Sequence, residues 1–118
     1  MQRLLIIEDD RNIAEGIQDI LEAAGYDSRI AEDGMTAGAL LKEEKTDLIL
    51  MDVHLGAESG YDLCREIRKN MEIPVIFLTA CNSEMELIRG FQAGGDDYVT
   101  KPFRVQELLL RIQAVLRR

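Results

Sequence analysis

The sequence predicts an α/β domain in which five parallel strands are covered by five helices on both faces. Three observations carry that expectation. Short apolar runs alternate with amphipathic segments along the 118 residues. The runs 4–7, 48–51 and 75–78 are apolar without a break, as in strands buried on both faces rather than one. The segments between successive runs are long enough to hold helices, which parallel strands require as right-handed crossovers.

The elements follow in order. After the first strand, Ile13, Ile17, Ile20, Leu21 and Ala24 form one helical stripe, which Asp10 caps and Gly25 ends. Asp27–Ala31 alternates as a weaker second strand, and Gly34–Glu43 is a second helix carrying Met35, Ala39 and Leu40. The third strand, 48–51, leads through a loop over 54–59 into a helix with Leu63, Cys64, Ile67 and Met71 facing inward. The fourth strand, 75–78, precedes a helix over Glu84–Gln92 that Gly94-Gly95 breaks, and the fifth, 98–100, precedes an amphipathic helix over Val105–Leu116. No internal repeat, low-complexity segment or linker interrupts this pattern.

Composition narrows the function classes. The length suits one domain with a real core, and 47% hydrophobic residues excludes a disordered chain. The apolar stretches are too short for a membrane span and the N-terminus lacks a signal-peptide pattern, so a cytoplasmic, membrane-free protein is expected. A net charge of −8 argues against direct nucleic-acid binding, which needs clustered Lys and Arg. Cys64 and Cys81, without CxxC spacing and with one histidine in the chain, read as ordinary reduced cysteines.

The chemistry lies at the strand ends. In an open parallel sheet the carboxyl ends of the strands face the ligand crevice. Here those ends carry Glu8-Asp9-Asp10, Asp52, Thr79 and Lys101-Pro102. Asp10 suits a helix start, where carboxylates are favoured. Glu8, Asp9 and Asp52 gathered at one rim repel, so one must take up a proton unless a cation intervenes. Magnesium fits: it binds one or two carboxylates, keeps several waters and leaves positions for phosphate. Read alone, Thr79 also fits an ordinary β-branched strand residue, and Tyr98 an ordinary half-buried aromatic. Lys101, directly between a buried strand and Pro102, is placed more narrowly than a solvated surface lysine. The ring of the lone His54 is expected to be neither a base nor a ligand.

Taken together, these residues resemble the receiver domain of bacterial two-component response regulators over the whole of 1–118. The motifs that carry the likeness are Glu8-Asp9, Asp52 followed by Gly60, Thr79-Ala80, Tyr98 and Lys101-Pro102-Phe103. The resemblance implies a flavodoxin-like (CheY-like) sheet of order 2-1-3-4-5 and a cis Lys101–Pro102 peptide. It implies that Asp52 accepts a phosphoryl group from a sensor histidine kinase. Asp9 and Asp52 would bind Mg2+ directly, Glu8 would act mainly through water, and the backbone carbonyl of His54 would be a further ligand. Lys101 and Thr79 would contact phosphoryl oxygens, and a shift of Thr79 would let the ring of Tyr98 turn inward as a switch. Such a domain catalyses only its own phosphorylation and dephosphorylation and is not otherwise an enzyme.

The run 101–118 is similar to the end of OmpR/PhoB-class receivers, where a linker and a winged-helix DNA-binding domain follow. No part of 1–118 is that second domain. The chain therefore reads as a fragment of a transcription regulator in preference to a stand-alone receiver, with DNA contacted only through the missing domain. The class also implies a phosphorylation-promoted homodimer through the fourth helix, fifth strand and fifth helix. Asp97 would pair with Arg111 and Asp96 with Arg118 of the partner subunit, while Glu107 would face Leu87.

Three positions depart from the family pattern. Gly56 replaces a common proline and is expected to loosen the loop beside the acids, Cys81 replaces an often basic residue, and Leu87 replaces the usual cation of the dimer face. Rival functions fit less well. A haloacid-dehalogenase-type phosphatase needs a DxD motif after the first strand, where Glu8 stands, and a nucleotide carrier needs a glycine- or hydroxyl-rich loop there. A degenerate receiver acting as a phosphorylation-independent dimerisation module would not need the full acidic set.

Overall fold

The computed structural model describes residues 1–80 and 84–118, so the expectation at Cys81 lies outside the described residues. The chain runs β1 (Arg3–Ile7), α1 (Arg11–Ala23), β2 (Asp27–Ala31), α2 (Gly34–Glu43), β3 (Leu48–Asp52), β4 (His54–Leu55) and β5 (Glu58–Ser59). It continues through α3 (Gly60–Arg68), β6 (Val75–Thr79), α4 (Glu84–Gln92), β7 (Asp97–Thr100) and α5 (Val105–Leu116). The main sheet has the order β2-β1-β3-β6-β7, with every neighbouring pair parallel. This matches the expected order once 54–59 is counted: that segment, expected as a loop, pairs as a small antiparallel hairpin, β4–β5.

Successive strand residues point to opposite faces, which divides the core in two. On one face Leu5, Ile7, Ile49, Met51 and Phe77 pack with Ala37 and Leu41 of α2 and Tyr61, Cys64 and Ile67 of α3. On the other, Leu4, Ile6, Leu50, Ile76 and Leu78 pack with Ile17 and Leu21 of α1 and Leu108 and Ile112 of α5. Burial of each such side chain stabilises the fold by about 1.5–3 kcal/mol. No helix among the described residues is long and apolar enough to cross a membrane.

Local signals set the helix ends. The Asp10 carboxylate accepts the backbone N–H of Asn12 at 3.0 Å and of Ile13 at 3.2 Å, capping α1. Two expected stripes are rotated. The buried residues of α1 are Ala14, Ile17 and Leu21, while Ile13 is 38% exposed and Ala24 lies past the last turn. On α2 the buried residues are Ala37 and Leu41, with Leu40 at the edge and Met35 and Ala39 outside. The small side chains of Ala14 and Ala37 let the first turns approach the sheet closely, which leaves the bulkier Ile13 and Met35 outward.

Two glycines shape the link from β3 to α3. At Gly60 an added Cβ would overlap the Asp52 carbonyl oxygen, and its N–H donates to the Val53 carbonyl at 2.7 Å. Only glycine lets α3 start this close to the strand end. Gly56 has φ +62°, and no non-glycine residue among those described has positive φ. A two-residue hairpin turn with positive φ at its first position only is the type II′ pattern, which favours glycine there. Gly56 therefore permits a turn that proline, held near φ −65°, cannot make. Gly56→Pro is expected to lower stability by more than about 1 kcal/mol, read as a lower urea midpoint. A higher midpoint, as for proline in a compatible loop, would contradict this turn.

Candidate functional site

The parallel register itself assembles the site. Ile7 pairs with Met51 and Asp52 with Leu78, while Thr79 pairs with Thr100. The residues just beyond these pairs, Glu8, Thr79 and Lys101, therefore emerge at the same rim as Asp52. Glu8, Asp9 and Asp52 each offer a carboxylate oxygen, and these oxygens lie within 4.8 Å of one another. Glu8 and Asp52 are buried and Asp9 is exposed. The Lys101 ammonium stands 2.8 Å from Glu8 and 3.5 Å from Asp52, and the Lys101–Pro102 peptide is cis. Thr79 is fully buried beside them.

Electrostatics shows the strain of this packing. Burial, reinforced by the adjoining Asp52, raises the Glu8 carboxyl above its ordinary value although Lys101 pulls it down. Burial lowers the Lys101 ammonium, but its bonds to Glu8 and Asp52 prevail and the net shift is upward. A hard, oxygen-only donor set of three acids with one partly exposed member suits a divalent cation such as magnesium. The ring of His54 is exposed at the start of β4.

Behind the rim lies an aromatic cluster. Tyr98 is buried, and its hydroxyl is 3.3 Å from that of Tyr61. Tyr61 donates to the Glu86 carboxylate at 2.5 Å, and its ring meets Phe77 edge to face at 5.1 Å. Burial, followed by the bond to Glu86, pushes the Tyr61 phenol up, so it remains a donor.

The family model for the response regulator receiver domain matches residues 4–113. The chain belongs to the response regulator receiver domain family. A putative response regulator from Chloroflexus aurantiacus is 37% identical with a TM-score of 0.94, covering 99% of this chain and 98% of that one. The receiver domain of Francisella response regulator 1452 is 35% identical with a TM-score of 0.93, covering 100% and 98%. DrrB, a Thermotoga maritima OmpR/PhoB homolog, is 34% identical with a TM-score of 0.89; the match covers all of this chain and 54% of DrrB.

The outer face of the receiver domain holds the remaining expected residues. Arg111 of α5 pairs with Asp97 at 2.9 Å and with Glu107 at 3.4 Å inside the chain. Asp96 is also used internally: it accepts the Val75 N–H at 2.9 Å and pairs with Arg68 at 3.1 Å. Arg118 is exposed at the end of the chain and Leu87 is 39% exposed on α4. The pairs expected across a dimer are thus met, for Asp96 and Asp97, by partners in the same chain.

Tyr61, Glu86 and Arg68 escaped the reading of the sequence as site neighbours. Tyr61 was recoverable, because the buried stripe of α3 at Cys64 and Ile67 extends back one turn to it. Arg68 had no signal, since its acceptors are the carbonyls of Ile73 and Gly94.

The raised Glu8 carboxyl has a consequence for stability. A group whose folded pKa exceeds its unfolded value stabilises fully below the unfolded value and loses that contribution as pH rises through the folded one. For Glu8 the window opens near the ordinary 4.5 and extends upward. In metal-free buffer the stability of wild type relative to Glu8→Gln should therefore fall as pH is raised from about 4 toward 8. Urea denaturation of both proteins across that range checks it, and a flat or rising difference would contradict the assignment.

Proposed function

We propose that this receiver domain accepts a phosphoryl group on Asp52 from a sensor histidine kinase and relays the change to its α4–β7–α5 face. The observation that supports this best is the buried Asp52 carboxylate, flanked by two further acids and within 3.5 Å of the Lys101 ammonium. A carboxylate in such surroundings serves as a nucleophile: its oxygen attacks phosphorus while the bond to the donor's imidazole nitrogen breaks, leaving an acyl phosphate. Phosphoryl transfer asks little more of a protein than in-line positioning and charge neutralisation. Lys101 is already paired with Asp52 and would turn part of that pairing to a phosphoryl oxygen. Thr79, buried at the same rim, offers its hydroxyl to another.

Asp9 and Asp52, supported by Glu8 and the His54 carbonyl, are the residues that would hold magnesium, which when bound supplies positive charge to the phosphoryl group. Without a cation the rim holds three acids against one ammonium. A domain of this kind modifies only itself and is not an enzyme acting on another substrate.

Thr79 and Tyr98 would pass the change outward. The receiving face carries exposed Met85 at 70%, Phe91 at 51% and Leu110 at 64%, apolar area suited to a homodimer. In such a dimer Asp97 and Arg111 would exchange their internal pair for one across the two-fold axis, and Leu87 would offer apolar contact to Glu107. Exposed ion pairs contribute about 0–1 kcal/mol each, so they set register more than affinity. The likeness to DrrB supports the OmpR/PhoB class, and with it transcription control in the cytoplasm through a DNA-binding domain outside 1–118.

Incubation with acetyl phosphate and magnesium, followed by intact mass measurement, tests the reading. Wild type should gain a single phosphoryl adduct, labile to hydroxylamine, and Asp52→Asn none. An adduct of similar level on the variant, or none on wild type, would overturn it.

A further inference from the structure

Glu58 makes a contact that the phosphoryl chemistry does not use. It sits on β5 opposite Leu55 of β4, at the last pair before the turn at Gly56. Its carboxylate reaches out of the hairpin and accepts the backbone N–H of Gly34, the first residue of α2, at 3.1 Å. The start of a helix carries unpaired N–H groups and partial positive charge, so a carboxylate is favoured there. Asp33 accepts the Thr36 N–H at 2.8 Å as the local cap, while Glu58 serves Gly34 from 24 residues away. Glycine at 34 makes room for that reach. A Cβ there would stand 2.7 Å from Glu58 Oε2 and 3.2 Å from Leu63 Cδ1, so a side chain would push the carboxylate aside.

The start of α2 is a fixed post beside the acidic rim. Ala31, the last residue of β2, accepts the Glu8 N–H at 3.0 Å, which ties the approach to α2 to the end of β1. The base of the hairpin is held too, since the Gly60 N–H donates to the Val53 carbonyl at 2.7 Å and Leu55 is buried. Between these anchors lies the exposed turn, and it borders the rim: a Cβ on Gly56 would stand 3.5 Å from the Asp9 carboxylate. Among the described residues, no other side chain of 54–59 hydrogen-bonds to another element.

We propose that Glu58 is a positioning residue for the acidic rim. By tying the hairpin to the start of α2, it keeps the turn at Gly56 against Asp9 and sets how the Asp9 carboxylate and the His54 carbonyl face a divalent cation. This rests on the reading of Asp9 and the His54 carbonyl as magnesium ligands. Glu58 is exposed, so its bond is modest, and losing it loosens the cation site without dismantling it.

Magnesium chloride titrated into unmodified 15N-labelled protein, followed by amide nuclear magnetic resonance, tests this. The chain has nine glycines, and the Gly34 signal is the one that Gly34→Ala removes. Without metal, the wild-type Gly34 amide should resonate downfield and exchange slowly. Glu58→Ala should abolish both features and move the Gly56 signal. Its dissociation constant for magnesium should be about threefold higher, in keeping with the modest contribution of an exposed helix cap. Glu58→Gln keeps an acceptor oxygen and should bind magnesium as tightly as wild type. Gly34→Ala displaces the carboxylate but leaves it charged, so it should weaken binding as much as Glu58→Ala, and the two together should add nothing further. Equal weakening by Glu58→Gln and Glu58→Ala would trace the effect to charge alone, and additive losses in the double variant would uncouple the two residues; either overturns the proposal. Wild type that binds magnesium no better than Glu58→Ala would overturn it as well, with the reading of the site intact. Wild type that binds no magnesium would overturn the proposal and that reading together.

Discussion

Holding Glu8, Asp9 and Asp52 within 4.8 Å of one another is the constraint on which the rest of this domain depends. Two carboxylates at that spacing repel by roughly 1 kcal/mol in a water-like medium and roughly 3–4 kcal/mol at an effective dielectric of 20. The sheet cannot relieve the repulsion, because the parallel pairing of β1 with β3 fixes where Glu8 and Asp52 emerge. Relief comes from Lys101, 93 residues from Glu8 in sequence and 2.8 Å away in space. The ammonium thus ties the last strand to the first, and the rim is left short of positive charge.

That shortage connects stability to chemistry. A site that crowds anions and supplies too few cations is destabilised at rest and gains when positive charge or a neutralising partner arrives. The same rim can then respond to a change at Asp52, since Thr79 and Lys101 are held by backbone that the change would load directly. The Lys101 N–H bonds to the Thr79 carbonyl at 2.6 Å, so the two residues are coupled along the main chain as well as at their side chains.

Much of this was legible in the sequence, because strands buried on both faces read as unbroken apolar runs and their ends are sharply marked. The rim residues Glu8, Asp9, Asp52, Thr79 and Lys101 followed from that, and the order of the sheet from the resemblance to receiver domains. The hairpin at 54–59 was not legible: two-residue strands have no periodicity, and the positive φ of Gly56 belongs to the tight turn that joins them. On α1 Ile17 and Leu21 were read correctly but Ala14 was missed, and on α2 Ala37 and Leu41 were missed, since alanine weighs little in a hydrophobic pattern yet fits where a helix presses on a sheet. The internal partners of Asp96 and Asp97 were hidden for another reason. Arg68 is distant in sequence from Asp96, and Arg111, expected to reach Asp97 across two subunits, reaches it within one chain.

Lys101 neutralises Glu8 and Asp52 and is proposed to bind a phosphoryl oxygen as well. The time course of phosphoryl uptake from acetyl phosphate by Lys101→Met, across magnesium concentrations, tests it most directly. Removing one preorganised charge from such a transition state costs on the order of a hundredfold in rate. A loss of that size is expected, not restored by saturating magnesium, with magnesium binding retained. Uptake at the wild-type rate would contradict it.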